Sequence, residues 1–245
     1  MSRYTTQAIR SVALVGHGAV GKTSLAEALL FATGAIPAKG SIERGTTVCD
    51  FEPQEKEAGH SLNSAVVNFA YEDTHIHLID TAGYPDFSGQ SIAALAGVDT
   101  ALVVINAQTG IELMTERMMQ YAADRKLARM IVVNKIDADN IDLPALLNDI
   151  RDFFFFFLVL DLPAHDAADV IEVLEHDSGD TDFDSVAEAH RALIDQLVEE
   201  DEELLMQYLE DGADPSTSDL HAPFEKALRE GHLIPVLFTS AKTGA

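Results

Sequence analysis

The sequence predicts a doubly wound α/β domain with a mostly parallel sheet. Continuous apolar runs at residues 11–15, 101–105 and 130–133 are typical of parallel strands that helices cover on both faces. Segments with helical character at 24–31 and 112–126 separate these runs along the chain. Alternation of strands and helices in this order favours the doubly wound class.

Other segments fill in the predicted secondary structure. Residues 65–70 and 75–79 read as a β-hairpin, because a short polar connection joins two apolar strands. Residues 185–208 predict a long acidic helix, 220–229 a second helix and 233–238 a final strand. We interpret 212–218 as a linker.

Two stretches carry no clear periodicity. In residues 35–61 the chain is interrupted at Gly40, Gly45, Pro53 and Gly59, and a loop of that length in a compact domain is usually functional or mobile. Residues 153–157 are five consecutive phenylalanines, which we interpret as a buried strand or as a helix end leading into one. A homopolymer specifies strand register poorly, so we assign it no function.

The charge excludes one class of function. The formal net charge is −25, from 16 basic and 41 acidic residues, and such a surface repels phosphate backbones. Independent nucleic-acid binding is therefore not expected. Residues 161–219 hold 20 of the acids and one basic residue, Arg191, which gives this segment a surface character of its own.

The chain has the features of a cytoplasmic protein. Its single cysteine, Cys49, has no partner for an internal disulfide, which suits a reducing compartment. No apolar run approaches the roughly 20 residues that cross a bilayer, so we expect no membrane association. We also expect a monomer.

Residues 16–23 match the phosphate-binding pattern G-x-x-x-x-G-K-[ST], between a predicted strand and a predicted helix. Glycines let the backbone wrap a phosphate, and amides at the helix start point at its oxygens. Lys22 would reach the β- and γ-phosphates, and Thr23 would offer its hydroxyl to Mg²⁺. The predicted phosphate-binding residues are Gly16, His17, Gly18, Ala19, Val20, Gly21, Lys22, Thr23 and Ser24.

A second motif, Asp80-Thr81-Ala82-Gly83, follows the second strand of the predicted hairpin. An acid at a strand end that faces the phosphate loop is the expected partner of Mg²⁺. The amide of Gly83 would sense the γ-phosphate.

A third motif, Asn134-Lys135-Ile136-Asp137, follows the strand at 130–133. The carboxylate of Asp137 can accept two hydrogen bonds from guanine N1 and N2, which adenine cannot supply. Asn134 can bridge the base and the phosphate loop, and the stem of Lys135 can lie over the ring. A fourth motif after the last strand would bring a backbone amide to guanine O6; its residues are Ser240, Ala241 and Lys242.

With these four motifs in order, the chain resembles the translational GTPases, and most closely the GTP-binding domain of elongation factor G and its paralogues. About 100 residues separate Asn134 from Ser240, and in that family an inserted subdomain occupies this interval. The resemblance implies a P-loop GTPase core at 1–150 and 231–245, with an inserted acidic α+β subdomain at 151–230. Residues 83–87 also resemble the family's Gly-His-x-Asp-Phe.

The resemblance implies a third Mg²⁺ contact from the loop before the hairpin. Aligned from the phosphate loop and the hairpin, Ser61 takes the place of the family's threonine; Thr47, in Arg-Gly-Thr-Thr-Val, is the second candidate. The expected metal contacts are therefore Thr23, Ser61 and Asp80.

Three residues depart from the family pattern. Ala19 stands where an aspartate is usual, and Ala82 where a proline is usual. Tyr84 replaces the histidine that positions the attacking water, and a phenol is a weak base at neutral pH. The expected catalytic residues are Tyr84, Gly83 and Lys22, with slow hydrolysis.

The resemblance implies GTP and GDP as ligands, Mg²⁺ as cofactor, and the ribosome and its stalk protein as partners. One expectation is a GTPase that is slow alone and faster on the ribosome. The alternative is a GTP-switched module that binds the ribosome or the stalk protein with little turnover. In that family the domain continues beyond the loop that corresponds to residues 240–242. We therefore expect a fragment or a truncated product that cannot translocate by itself.

Overall fold

The computed structural model describes residues 4–154, 157–211 and 214–245. Its strands are β1 (Ile9–Gly16), β2 (Ala65–Tyr71), β3 (Thr74–Asp80), β4 (Thr100–Asn106), β5 (Ala128–Asn134), β6 (Phe157–Val159), β7 (Asp161–Ala164), β8 (Asp169–Glu172) and β9 (Ile234–Thr239). Its α-helices are α1 (Lys22–Ala32), α2 (Pro53–Ala58), α3 (Ser88–Leu95), α4 (Leu113–Asp124), α5 (Leu143–Phe153), α6 (Val186–Val198), α7 (Glu202–Asp211) and α8 (Thr217–Glu230).

Seven strands form one sheet in the order β2-β3-β1-β4-β5-β9-β6. Only β2 runs antiparallel to its neighbour, so the predicted doubly wound, mostly parallel sheet is confirmed. The carboxyl ends of parallel strands share one edge of a sheet, which is where α/β folds place their ligands. The ends of β1, β3, β5 and β9 therefore bring the four predicted motifs to one edge.

Alternation along the central strands builds a core on each face of the sheet. In β1, Ala13 and Val15 pack with Leu95 of α3, Met118 of α4 and other apolar side chains of one cluster. Leu14 points the other way, into a cluster that includes side chains of α1. Successive side chains of a strand point to opposite faces, so a strand covered on both sides is apolar throughout.

The hairpin of β2 and β3 and the helix α1 confirm the sequence-based predictions. The predicted helix over 185–208 is wrong as one element, because the chain forms α6 and α7 with a break between them. Asp201 accounts for the break: its Oδ1 accepts the backbone N–H groups of Glu203 and Leu204, which caps a new helix.

The aperiodic stretch from 35 to 61 is not irregular throughout. It contains α2, which has Pro53 in its first turn and ends at Gly59 in the left-handed conformation. Proline in the first turn and glycine after the last are common boundaries of a helix. The sequence also left α3, α5 and the β7–β8 pair unassigned.

The phenylalanine run leads from a helix into a strand where the structure describes it. Phe153 ends α5, Phe154 is buried, and Phe157 begins β6. The rest of that prediction falls on residues 155 and 156, outside the described residues. The predicted linker overlaps residues 212 and 213, which are also outside them, and its last residues begin α8.

A third apolar cluster lies mostly within the segment at 151–230, which also supplies β6 to the main sheet. Apolar residues of β7, α6 and α8 form this third cluster, among them Leu162, Leu193 and Leu220. Within the described part of the chain, no helix combines the length and the apolar character that crossing a bilayer requires.

Asp161, the first residue of β7, ties this segment to the main sheet. Its Oδ1 accepts the backbone N–H of Phe238 in β9 at 2.6 Å. Burial raises the pKa of the Asp161 carboxyl to about 7, and the charge of Glu172 adds to the rise. The folded protein therefore holds a proton here more tightly than the unfolded chain does.

Asp161→Asn should stabilise the protein more at pH 8 than at pH 5. A carboxyl whose folded pKa is raised contributes stability that is lost as pH rises, here from about 4 in the unfolded chain to about 7. Asparagine keeps the acceptor oxygen and removes the buried charge. We expect its advantage to be larger at pH 8 by about 2–3 kcal/mol, measured by urea unfolding. The exposed control Asp149→Asn should show no such difference, and equal gains at both pH values for Asp161→Asn would contradict the assignment.

Candidate functional site

A cleft of about 640 Å³ opens at the carboxyl edge of the main sheet, and all four predicted motifs contribute to its walls. The predicted site residues that line it are Gly18, Ala19, Gly21, Lys22, Thr23, Ser24, Ser61, Gly83, Tyr84, Asn134, Lys135, Asp137, Ala241 and Lys242. The other predicted site residues do not line the cleft but form hydrogen bonds with residues that do; they are Gly16, His17, Val20, Asp80 and Ser240.

The phosphate loop ends in an open helix N-terminus. Gly21 precedes α1 in the left-handed conformation, with φ of 97°, and no side chain caps the helix. The first amides of a helix have no partner within it and carry the positive end of its dipole, which favours an anion. Ala19 is left-handed too, with φ of 61°, which is uncommon for a residue with a side chain.

Lys22 is a buried cation at the centre of this loop. Its Nζ donates to the carbonyls of Gly16, at 3.2 Å, and His17, at 2.7 Å. Burial lowers the pKa of the Lys22 ammonium to about 8, although the charges of Asp80 and Glu112 oppose the shift. An ammonium with little solvent around it gains from a phosphate oxygen as a partner.

Gly83 lies in direct contact with the phosphate loop. A Cβ at this position would lie 2.2 Å from Lys22 Nζ and 2.4 Å from the carbonyl oxygen of His17. Any other residue would have to displace the lysine or the loop. The backbone of the Asp-Thr-Ala-Gly turn is therefore held within reach of whatever group Lys22 binds.

Thr23, Asp80 and Ser61 converge at one point. Thr23 Oγ1 donates to Asp80 Oδ2 at 2.7 Å, and Ser61 Oγ donates to Asp50 Oδ1 at 2.7 Å. The two hydroxyl oxygens are 3.1 Å apart. Because each hydroxyl gives its proton to a carboxylate, their lone pairs face each other, which suits a cation between them.

Asp80 adds an unsatisfied oxygen to this point. Its Oδ1 is buried and accepts no hydrogen bond of ordinary geometry from the residues that the structure describes, although the thiol of Cys49 lies close enough to the carboxyl group to act as a weak donor. Burial raises the pKa of Asp80 to about 6, against the hydrogen bond from Thr23 and the charge of Lys22. Buried carboxylates are normally paired, so this oxygen fits a metal ligand. The donor set of carboxylate and hydroxyl oxygens suits Mg²⁺.

The structure separates the two candidates for the third contact. Ser61 approaches Thr23, whereas the hydroxyl of Thr47 is buried and donates to Asp50 Oδ2 at 3.0 Å. Thr47 therefore supports Asp50, which in turn accepts the hydroxyl of Ser61. Asp50 links the two residues and was not identified from the sequence.

Two further buried carboxylates organise the loop before β2. Glu27 on α1 accepts the backbone N–H groups of Gly40 and Val48. Glu55 on α2 accepts those of Leu62 and Asn63, each at 2.9 Å. Backbone groups of a loop need partners when buried, and carboxylates are strong acceptors for them. Glu55 lies in the stretch without clear periodicity and Glu27 in the helix before it, so no local pattern in the sequence pointed to either role.

The third motif, at residues 134–137, joins the phosphate loop to the loop that follows β9, which we call the last loop. Asn134 Nδ2 donates to the carbonyl of Val20 and its Oδ1 accepts the amide of Ala241, both at 3.0 Å. Lys135, which is left-handed with φ of 67°, extends its Nζ to the carbonyl of Ala19 at 2.8 Å. The stem of Lys135 thus crosses from one loop to the other along the cleft.

Asp137 is fixed by the last loop. Its Oδ1 accepts the Ser240 hydroxyl at 2.6 Å, and its Oδ2 lies 3.2 Å from Lys242 Nζ. Burial raises the pKa of Asp137, but the bonds from Ser240 and Lys242 outweigh it, so the pKa lies below its ordinary value. The carboxylate is charged at neutral pH and its orientation is set by Ser240.

Lys39, which was not identified from the sequence, joins the loop before β2 to the last loop. Lys39 Nζ donates to the carbonyls of Ala241, at 2.6 Å, and Lys242, at 3.0 Å. Residues 39–43 line the cleft beyond it. The loop before β2 therefore reaches both the last loop, through Lys39, and Thr23, through Ser61.

Tyr84 lines the cleft beside the phosphate loop and is 36% exposed. We call this part of the cleft the phosphate end, and the part beside Asp137 the base end. Its ring covers Gly18, where a Cβ would lie 2.8 Å from Tyr84 Cε1. The ring of His60 packs edge-on against it, with centroids 4.7 Å apart. His17, a residue of the phosphate loop, has its Nε2 3.6 Å from a carboxylate oxygen of Glu112.

Comparisons with known proteins agree with this geometry. Residues 7–245 match the family model of the elongation factor Tu GTP binding domain. The Elongation factor G-like protein of Mycobacterium tuberculosis is 35% identical, over 96% of this chain and 35% of that protein. The Elongation factor G-like protein of Thermotoga maritima is 29% identical, over 97% of this chain and 36% of that protein.

A solved structure gives the same result. The crystal structure of a protein from Thermus thermophilus superposes with a TM-score of 0.87 at 34% identity, over 97% of this chain and 38% of that one. The chain thus spans about a third of the length of these relatives. Because the family model matches nearly all of it, the chain belongs to the elongation factor Tu GTP-binding domain family, as a translational GTPase domain of the elongation factor G-like type.

Proposed function

We propose that the chain binds GTP and GDP together with Mg²⁺ in this cleft and hydrolyses GTP to GDP. The observation that carries the proposal is that Asn134 ties a phosphate-binding loop to a loop that orients a carboxylate for a base. A site for free phosphate would not need the second loop, and a site for any nucleoside triphosphate would not need Asp137.

At the base end, the carboxylate of Asp137 would accept the N1 and N2 protons of guanine. Ser240 orients it, and exposed Lys242 can move away from Oδ2 when the base arrives. The stem of Lys135 would cover one face of the ring. The amide of Ala241, which donates to Asn134 in this structure, would also donate to guanine O6.

At the phosphate end, the amides of residues 18–24 would wrap the β-phosphate, supported by the loop geometry of Gly16, His17 and Val20. Lys22 would bridge the β- and γ-phosphates, and the amide of Gly83 would contact the γ-phosphate. Thr23, Ser61 and Asp80 would hold Mg²⁺, directly or through water. When bound, the metal neutralises negative charge on the β- and γ-oxygens.

Hydrolysis in such a site is mostly positioning and charge stabilisation. Lys22, at the centre of the loop, stabilises charge that develops on the phosphate oxygens as the bond to the leaving group lengthens. Gly83 offers a backbone N–H to the γ-phosphate. Tyr84 covers Gly18 and would exclude bulk water from this end, with its hydroxyl as a hydrogen-bond donor or acceptor.

Ribosome and stalk-protein binding belong to the proposal, and both follow from the family. The partner surface for the stalk would be the acidic segment at 151–230, which we propose as an inserted subdomain with its own core. Its charge makes a contact with a basic partner sensitive to ionic strength. A ribosomal partner would place the protein in the cytoplasm, with the chain acting as a monomer.

The second candidate function is a GTP-switched binding module with little turnover. Tyr84 favours it, because a phenol is a poor base at neutral pH. Both candidates share the nucleotide site and differ in the rate of the chemical step.

Asp137→Asn should weaken GTP and GDP binding, because it replaces an acceptor with an amide donor that faces the guanine N2 group. Loss of the charged pair costs about 2–4 kcal/mol. Xanthosine nucleotides, which carry an acceptor at that position, should bind relatively better to the variant. Competition titrations against a fluorescent GDP analogue measure both effects. Asp139→Asn, exposed two residues along, is the control, and wild-type protein that binds ATP as tightly as GTP would refute the proposal.

The isolated chain should hydrolyse GTP on the order of 10⁻³ s⁻¹ or more slowly, the range of GTPases without an activating partner. Single-turnover release of phosphate from a preformed GTP complex measures this rate. A rise on adding ribosomes would support the enzyme, and its absence would support the switch module. A rate above about 1 s⁻¹ without a partner would contradict the proposal that Tyr84 keeps hydrolysis slow.

A further inference from the structure

His60 is a half-buried histidine on the loop before β2, and it lines the phosphate end of the cleft. The motifs identified from the sequence do not include it. We propose that His60 is a further catalytic residue of GTP hydrolysis, whose imidazole accepts a hydrogen bond from the attacking water. The proposal rests on the GTPase function proposed above and adds the group that orients the nucleophile.

The position of His60 is fixed on two sides. Its ring packs edge-on against Tyr84, with centroids 4.7 Å apart, and the ring of Phe87 lies at 6.3 Å. Its neighbour Ser61 is 3.1 Å from the hydroxyl oxygen of Thr23. The backbone at residue 60 is therefore tied to the proposed metal site, and the side chain is confined to the end of the cleft at which we propose that the γ-phosphate binds.

Tyr84 can stand between Gly18 and His60 only because residue 18 has no side chain. A Cβ on Gly18 would lie 2.8 Å from both Cε1 and Cζ of Tyr84. The phenol ring thus lies against the phosphate loop on one side and supports the imidazole on the other. The two rings together cover the end of the cleft and limit the space that a water can occupy.

The orientation of His60 leaves an acceptor available. Its Nδ1 is 3.4 Å from the carbonyl oxygen of Ser61, a weak contact in which the nitrogen is the donor. A histidine whose Nδ1 carries the proton has a lone pair on Nε2. That lone pair can accept an O–H of a water molecule and direct the oxygen lone pair at the γ-phosphorus.

The neighbouring polar groups are less suited to this role. Lys22 can only donate, and the hydroxyls of Thr23 and Ser61 face each other at the proposed metal site. Glu43 also lines the cleft, but its segment follows Lys39, which is bound to the base loop. The hydroxyl of Tyr84 can also accept a hydrogen bond, but a phenol is a weaker base than an imidazole. Of these side chains, His60 is therefore the one best suited to orient a water molecule.

The step balances without any further reactant. The water oxygen forms a bond to the γ-phosphorus, and the bond from that phosphorus to the β–γ bridging oxygen breaks. GDP leaves with the electron pair of that bond. One water proton stays on the new phosphate hydroxyl and the other passes to a phosphate oxygen, so His60 orients the water and keeps no proton.

His60→Ala and His60→Gln test the proposal, with His221→Ala on the exposed side of α8 as the matched control. We expect His60→Ala to lower single-turnover hydrolysis at least about tenfold while GTP and GDP affinities change less than about twofold, the pattern of a group that acts in the transition state. Glutamine offers an acceptor oxygen of similar reach and should retain most of the rate. Added imidazole should restore part of the rate of His60→Ala, which a purely structural role would not allow.

A second readout does not depend on turnover. Aluminium fluoride with GDP mimics the planar phosphoryl group, so its affinity, measured with a fluorescent GDP analogue, should fall in His60→Ala at least about tenfold and remain in His60→Gln. Wild-type rate and wild-type aluminium fluoride affinity in His60→Ala would overturn the proposal and leave the GTPase assignment intact. Equal loss of GDP affinity in both His60 variants would also overturn it, because that is the result of a collapsed loop. Wild-type protein that binds no GTP would overturn the proposed function and this inference together.

Discussion

The side-chain amide of Asn134 is the interaction on which the rest of the site depends. It donates to the carbonyl of Val20 and accepts the amide of Ala241, so one buried residue at the end of β5 holds the loops that follow β1 and β9. These loops belong to strands that are not neighbours in the sheet. The distance between the two ends of the cleft is consequently fixed. A nucleotide that binds at both ends requires this.

The loop before β2 obeys a different constraint. It has few apolar residues with which to pack, and three buried carboxylates hold it instead: Glu27, Asp50 and Glu55 accept its backbone or hydroxyl protons. Such bonds are directional and easily exchanged, in contrast to apolar packing. Ser61 and His60 are thus placed at the phosphate end by a polar scaffold that a bound nucleotide and metal can strengthen.

The strands and the four motifs could be predicted because their signals are local. A glycine-rich turn between an apolar run and a helix, or an acid just after a strand, requires only a few adjacent residues. Helix α5 also had signals, Asp142 as its cap and proline in its first turn, but they were not used. Asp50, Lys39 and His60 could not be found in this way. The bond from Ser61 to Asp50 spans 11 residues, and the bond from Lys39 to Ala241 spans 202. The rings of His60 and Tyr84 are brought close only by the fold.

The proposed function requires one nucleotide to occupy both the phosphate end and the base end of the cleft. Amide hydrogen exchange of the chain, with and without GDP and Mg²⁺, tests this claim most directly, because exchange reports the opening of each segment separately. We predict that residues 16–24, 134–137 and 240–242 gain protection together, at one GDP concentration. Protection confined to residues 16–24 would contradict the account, since it would describe a phosphate site without base recognition.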